Sequence, residues 1–176
     1  MDKKETIIRK ATASDLKAIT DIYNEAILNT TATFDTETKT VEQRKEWFKQ
    51  HNDTYPVIVA VTDKKITGWA SLSRWSDRCA YDSTAELSVY VDAEERGKGI
   101  GRLLMSSIVE EGRRAGLHTL ISRISEGNEI SVKMHEQMGF THIGVMKEVG
   151  KKFGKLLDVL MMQKIYGPAG DWTSVK

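Results

Sequence analysis

One stretch, ELSVYVDAEERGKGIGRLLM from Glu86 to Met105, carries two pieces of chemistry. Its first half alternates, which puts Glu86, Ser88 and Tyr90 on one face of a strand and Leu87, Val89 and Val91 on the other. A carboxylate on such a face can serve as a general base when the face is covered; uncovered, the face is simply wet. The second half sets Gly97, Gly99 and Gly101 among the cations Arg96, Lys98 and Arg102, just ahead of an apolar helical pattern. Small residues at a helix start let backbone N–H groups approach a phosphate, and the helix dipole favours negative charge there. Arg96 and Lys98 would add charge-assisted contacts. The bland alternative is a tightly packed helix start with solvated cations.

Two familiar phosphate loops are excluded. The chain has no G-x-x-x-x-G-K-[ST], so the turn is not a Walker A loop. Gly97, Gly99 and Gly101 give G-x-G-x-G, and Arg102 occupies the third-glycine position of the dinucleotide fingerprint.

The elements that must position these groups follow from periodicity. TIIRKA reads as a strand, and Leu16, Ile19, Tyr23, Ala26 and Ile27 recur at helical spacing, with Thr12 and Asp15 as a capping box. After the polar loop TTATFDTETK, Thr40 and Gln43 open a short helix. PVIVAV and ITGWASLS flank TDKK as a hairpin, and AELSVYV is the next strand. Ile100, Leu103, Leu104 and Ile108 share a helix face that Gly116 can terminate. HTLISRI is a strand, NEISVKMHEQMG a helix, and FTHIGVMKEV and LLDVLMMQKI are two closing strands. This order predicts a mixed α/β sheet, one domain over 1–166 and a tail over 167–176.

The chain has 176 residues, 40% apolar and 29% charged, as expected of one globular domain. A net charge of +1 gives no nucleic-acid footprint. The apolar runs are too short to span a membrane, and MDKKETIIRK has no apolar signal core. Cys79 is the single cysteine, so no intrachain disulfide can form and a reducing cytoplasm is expected. It has no C-x-x-C or Cys–His context, and His51, His118, His135 and His142 show no metal-ligand spacing. The lysine pairs Lys3-Lys4 and Lys151-Lys152 read as solvated faces.

RGKGIG fits the Q/R-x-x-G-x-G/A signature of the GNAT superfamily of N-acetyltransferases, and NEISVKMHEQMGF, an asparagine, a helix and then G-F, matches as well. The resemblance runs from IIRKATASDL to DVLMMQKI. AYDSTAELSVYV, SVKMHEQMGF, GKKFGKLLDV and NTTATFDTETKT further resemble the phosphinothricin acetyltransferase branch. That implies a mostly antiparallel twisted sheet flanked by helices, acetyl-CoA as co-substrate with no metal, and transfer to the α-amino group of a small amino acid or analogue. Phosphinothricin, methionine sulfoximine and methionine sulfone are the acceptors it suggests.

The resemblance also distributes roles. The backbone of Arg96, Gly97, Lys98, Gly99, Ile100 and Gly101 would hold the pyrophosphate. Val89, Tyr90 and Val91 would pair with the pantetheine arm, and Asn128 would bond to it. Glu86 would be the base that makes an ammonium group nucleophilic. A strand amide such as that of Val89 could stabilise the oxyanion. His135 stands where many superfamily members have a tyrosine, as in the phosphinothricin branch; it could protonate the departing thiolate or order a water, or be a structural histidine. The acceptor carboxylate needs an arginine fork, for which Arg78, in the R-x-A-Y shared with the branch and followed by Tyr81, is preferred to Arg74. Trp75 and Phe34 could wall the pocket. The branch forms homodimers, and GKKFGKLLD could shape a neighbour's pocket. The rival readings are another acceptor (a polyamine, an aminoglycoside or a protein lysine) and a coenzyme-binding sensor without turnover.

Overall fold

The computed structural model describes residues 5–167, so the expected tail lies outside the described residues from 168 onward. Strands β1 (Thr6–Lys10), β2 (Val57–Thr62), β3 (Lys65–Arg74), β4 (Thr84–Val91), β5 (Thr119–Ser125), β6 (Thr141–Lys152) and β7 (Lys155–Ile165) form one sheet. Its order is β1-β2-β3-β4-β5-β7-β6. Every neighbouring pair is antiparallel except β4 and β5. The mostly antiparallel mixed sheet expected from the sequence is therefore present.

The helices are α1 (Leu16–Asn29), α2 (Val41–Lys49), α3 (Ile100–Arg114) and α4 (Glu129–Gln137). Both capping boxes form: Thr12 with Asp15, on a 3-10 turn that leads into α1, and Thr40 with Gln43 on α2. Asp15 is buried, and Arg9 grips it through two hydrogen bonds of 2.7 and 2.8 Å.

The sheet has two cores. Ala70, Leu72, Ala85 and Leu87 pack against Ile100, Leu104, Met105 and Ile108 of α3 on one face. Val57, Val59 and Trp69 pack against Leu16, Ile19 and Ile22 of α1 on the other. Alternation along β4 assigns Leu87, Val89 and Val91 to the α3 side. It assigns Tyr90, and with it Glu86 and Ser88, to the α1–α2 side.

The feature that makes room for a ligand is the short ladder between β4 and β5. Only Thr84, Ala85 and Glu86 pair, with Thr119, Leu120 and Ile121. Beyond Glu86 the two strands part, and the β5-facing edge of Leu87–Val91 has no strand partner among the described residues.

Candidate active site

The splay opens a cavity of about 550 Å³. Glu86, Leu87, Ser88, Val89 and Tyr90 line it from β4, and Ser122, Arg123, Ile124 and Ser125 from β5. Asn128, Ser131, Met134 and His135 close it from α4, the loop at Thr31–Asp35 from α1, and Met146 and Val149 from β6. Register shifts between Met146 and Gly150 bulge β6 at this point. Phe34 packs on Gly150, where a Cβ would lie 2.0 Å from the ring and push it out of place. Lys152, expected in a solvated pair, is buried instead and donates from Nζ to the Thr33 carbonyl at 2.7 Å. Burial lowers its pKa. The β6–β7 hairpin thus fastens the cavity loop by one aromatic contact and one charged hydrogen bond.

Glu86 sits at the last paired rung, where the strands separate. Its two carboxylate oxygens accept from Arg123 Nε and Nη2, both at 2.6 Å. This fork on the carboxylate raises the arginine pKa. Around Ser88 and Tyr90 the wall is aromatic. Trp69 stacks on Tyr90 at 4.7 Å, and Tyr23 meets Tyr90 edge-on at 5.1 Å. Tyr23 donates to Asp35 at 2.9 Å and lies 2.9 Å from the Thr33 hydroxyl. Burial pushes the Tyr23 hydroxyl up to about 12 and the Tyr90 hydroxyl also well up, so both stay protonated at neutral pH. Behind them Arg44 is buried over Trp47, 3.5 Å from the ring centroid, and burial lowers its pKa to about 10.

His135 is 4% exposed and fully engaged: Nδ1 lies 2.7 Å from the Ser131 carbonyl and Nε2 lies 2.9 Å from Ser122 Oγ. Asn128 caps α4 by accepting from Ser131 N at 3.2 Å. At the glycine turn, Gly97 and Gly99 adopt φ of +76° and +87°, and Gly99 is the N-cap of α3. The first N–H groups of this helix, which have no intrahelical partner, follow a left-handed turn that glycine adopts readily. Arg96 pairs with Glu25, and Lys98 Nζ lies 3.0 Å from Glu95, so both cations already have acidic neighbours. These features fit a long ligand with an anionic end: a free strand edge beside a cavity, then a helix start open to phosphate.

The structure thus brings Glu86, Val89, Tyr90, Asn128, His135 and Phe34 to one cavity. It places Trp75, Arg78 and Tyr81 on the segment between β3 and β4, outside the lining of that cavity. Arg78 is exposed, and Arg74 pairs with Asp82 at 3.2 Å. Sequence reasoning found Phe34 of the Thr31–Asp35 wall but missed its neighbours there, along with Arg123 and Ser122.

A sheet splayed after a short parallel ladder, a glycine-rich helix start and a carboxylate at the fork are the features of an acyl-coenzyme-A-dependent transferase. The chain belongs to the Acetyltransferase (GNAT) domain family, which matches residues 8–161. It is 39% identical over 157 residues to the L-methionine sulfoximine/L-methionine sulfone acetyltransferase of Salmonella typhimurium, covering 89% of this chain and 92% of that one. Among solved structures, it resembles a phosphinothricin acetyltransferase from Sinorhizobium meliloti in complex with AcCoA. The TM-score there is 0.87 and the identity 34%, over 97% of this chain and 92% of that chain. It also resembles a ribosomal-protein-alanine N-acetyltransferase from Brucella melitensis, with TM-score 0.88 and 41% identity over 91% and 99% of the two chains.

Proposed function

We propose that this enzyme transfers the acetyl group of acetyl-CoA to the α-amino group of a small amino acid or analogue, of the methionine sulfone, methionine sulfoximine or phosphinothricin kind. The observation that carries the reading is the place of Glu86: its carboxylate stands in the cavity at the rung where β4 leaves β5. Relatives named for these acceptors support it. Acetyl-CoA supplies an activated thioester. The Val89–Val91 edge and Asn128 hold its arm, and the backbone from Arg96 to Gly101 holds its pyrophosphate. Glu86 takes a proton from the acceptor ammonium, directly or through water, and transfer is direct, with no role for the exposed Cys79. The aromatic wall of Tyr23 and Tyr90 and the Phe34 ring shape the acceptor side.

A peptide N-terminus is the second reading, favoured by the likeness to the Brucella protein. Incubating the enzyme with acetyl-CoA and a panel of methionine sulfone, phosphinothricin, spermidine and an alanine-starting peptide, with CoA thiol release as the readout, separates the two. Release with the amino-acid analogues and acetylation mapped to their nitrogen support the first reading; release with the peptide alone removes it.

The protein works as a homodimer in this account. The support is the hairpin of edge strand β6 and β7, whose strands expose Ile143 (52%), Val145 (50%) and Leu156 (55%) and whose turn exposes Phe153 (57%). An exposed apolar edge strand is an association surface unless it is covered. One cysteine, exposed, in 176 residues suits a reducing cytoplasm.

A further inference from the structure

The ion pair at the fork is an obstacle as it stands. Arg123 occupies both oxygens of the carboxylate that must receive a proton, at 2.6 Å each. It also places a guanidinium where an ammonium ion has to arrive, and like charges repel at such distances. Arg123 is the one arginine or lysine among the described residues that line the cavity. Its side chain is 53% exposed, against 20% for Glu86, so the arginine is the partner with room to move.

A plain amine could reach Glu86 only by displacing Arg123, whose fork would be left without an anion. An α-amino acid would not, because it carries an ammonium and a carboxylate on one carbon. Its ammonium can take the place of Arg123 against Glu86 while its carboxylate takes the place of Glu86 against Arg123. Each charge keeps an opposite partner throughout, and the planar fork suits either carboxylate.

We propose that the acceptor binds by inserting its zwitterion into the Glu86–Arg123 pair, so that Arg123 reads the α-carboxylate and the exchange frees Glu86 to act as base. One proton then passes from the ammonium nitrogen to a Glu86 oxygen, leaving a neutral amine with its lone pair and a neutral carboxyl group. The inference rests on the amino-acid reading above and adds the residue that selects for it. It also gives the resting pair a purpose: an acceptor without a carboxylate leaves the base engaged.

The experiment compares methionine sulfone with its α-carboxamide as acceptors for the wild type, Arg123→Gln and Arg123→Lys. No turnover of methionine sulfone by the wild type removes the amino-acid reading, and the insertion with it. Given turnover, the wild type should prefer the acid by about tenfold or more in kcat/KM, less than a fully buried charge pair would give because Arg123 is half exposed. In Arg123→Gln that preference should collapse toward unity, mainly through a raised KM for the acid, while calorimetry shows acetyl-CoA still bound. Arg123→Lys should restore part of the preference, since a point charge replaces a fork. An undiminished acid preference in Arg123→Gln, or an equal loss on both acceptors with coenzyme binding intact, would overturn the proposal. Loss of the preference in Arg78→Ala alone would also overturn it and move the carboxylate to that arginine.

Discussion

His135 of α4 and Ser122 of β5 are joined by a 2.9 Å hydrogen bond, and the other ring nitrogen meets a backbone carbonyl that fixes the tautomer. A carbonyl oxygen can only accept, so the 2.7 Å contact with Ser131 O requires a hydrogen on Nδ1, and Nε2 accepts from the Ser122 hydroxyl. Burial lowers the pKa of the ring and favours its neutral form, both ring nitrogens are engaged, and both members of the pair line the cavity. With both nitrogens hydrogen-bonded, the ring orients Ser122 and ties α4 to the sheet.

A stability prediction follows from the same contacts. Burial lowers the pKa of His135, against a smaller opposing effect from the Ser131 carbonyl, and burial lowers that of His51 as well. The unfolded chain then binds more protons than the folded one below the ordinary histidine pKa of about 6.5, so stability present above that pH is lost as pH falls through it. The melting temperature should drop from pH 7 to pH 5. His135→Asn should lower it throughout but flatten the slope in that window, leaving the part owed to His51. Parallel slopes for variant and wild type would show that His135 titrates normally.

Gly99→Val tests the turn. Valine at φ +87° is strained by about 1–2 kcal/mol or more, since a β-branched side chain suits the left-handed region poorly. Among the described residues no atom beyond its chain neighbours lies within 4 Å of a Cβ at Gly99, so the fold should persist. Acetyl-CoA affinity by calorimetry should fall by about tenfold or more, because the helix N-terminus is displaced from the phosphates. Gly99→Asn, which tolerates this conformation, should lose less. Unchanged affinity in a folded Gly99→Val protein would contradict the phosphate cradle.

The edge strand gives a third test. Val145→Asp with Leu156→Asp places two charges on the exposed apolar strip of β6 and β7. Light scattering should report a dimer for the wild type at tens of micromolar and a monomer for the double variant. A wild type that stays monomeric would remove the dimer from the account.

Most elements were legible because they rest on local rules. Apolar spacing gave the helices, alternation gave β4, and the boxes Thr12–Asp15 and Thr40–Gln43 marked helix starts that the structure keeps. The face shared by Glu86, Ser88 and Tyr90 was legible for the same reason. Arg123 was not. Within HTLISRI it reads as an ordinary outward residue, and only the parallel rung of Glu86 with Ile121 brings it to the carboxylate. Sequence separation hides such a pair, since a parallel register is set by the whole crossover through α3. Lys152 and Arg44 were hidden by a different cause: a charged residue on a strand end or a helix reads as solvated. Here the fold buries one under the Thr33 carbonyl and the other among Tyr23, Trp47 and Trp69.

The central claim is that Glu86, at the fork of β4 and β5, makes the acceptor amine nucleophilic. Glu86→Gln keeps the shape and removes the proton acceptor. The most direct measurement is kcat of this variant against the wild type from pH 7 to pH 9 at saturating acetyl-CoA and methionine sulfone, with coenzyme affinity measured alongside. Coenzyme affinity should be retained and kcat at pH 7 should fall by about 10²–10⁴-fold, the range for loss of a general base. The gap should narrow as pH rises, because more of the acceptor then arrives already deprotonated. A folded Glu86→Gln enzyme that binds acetyl-CoA and turns over near the wild-type rate at pH 7 would contradict the account.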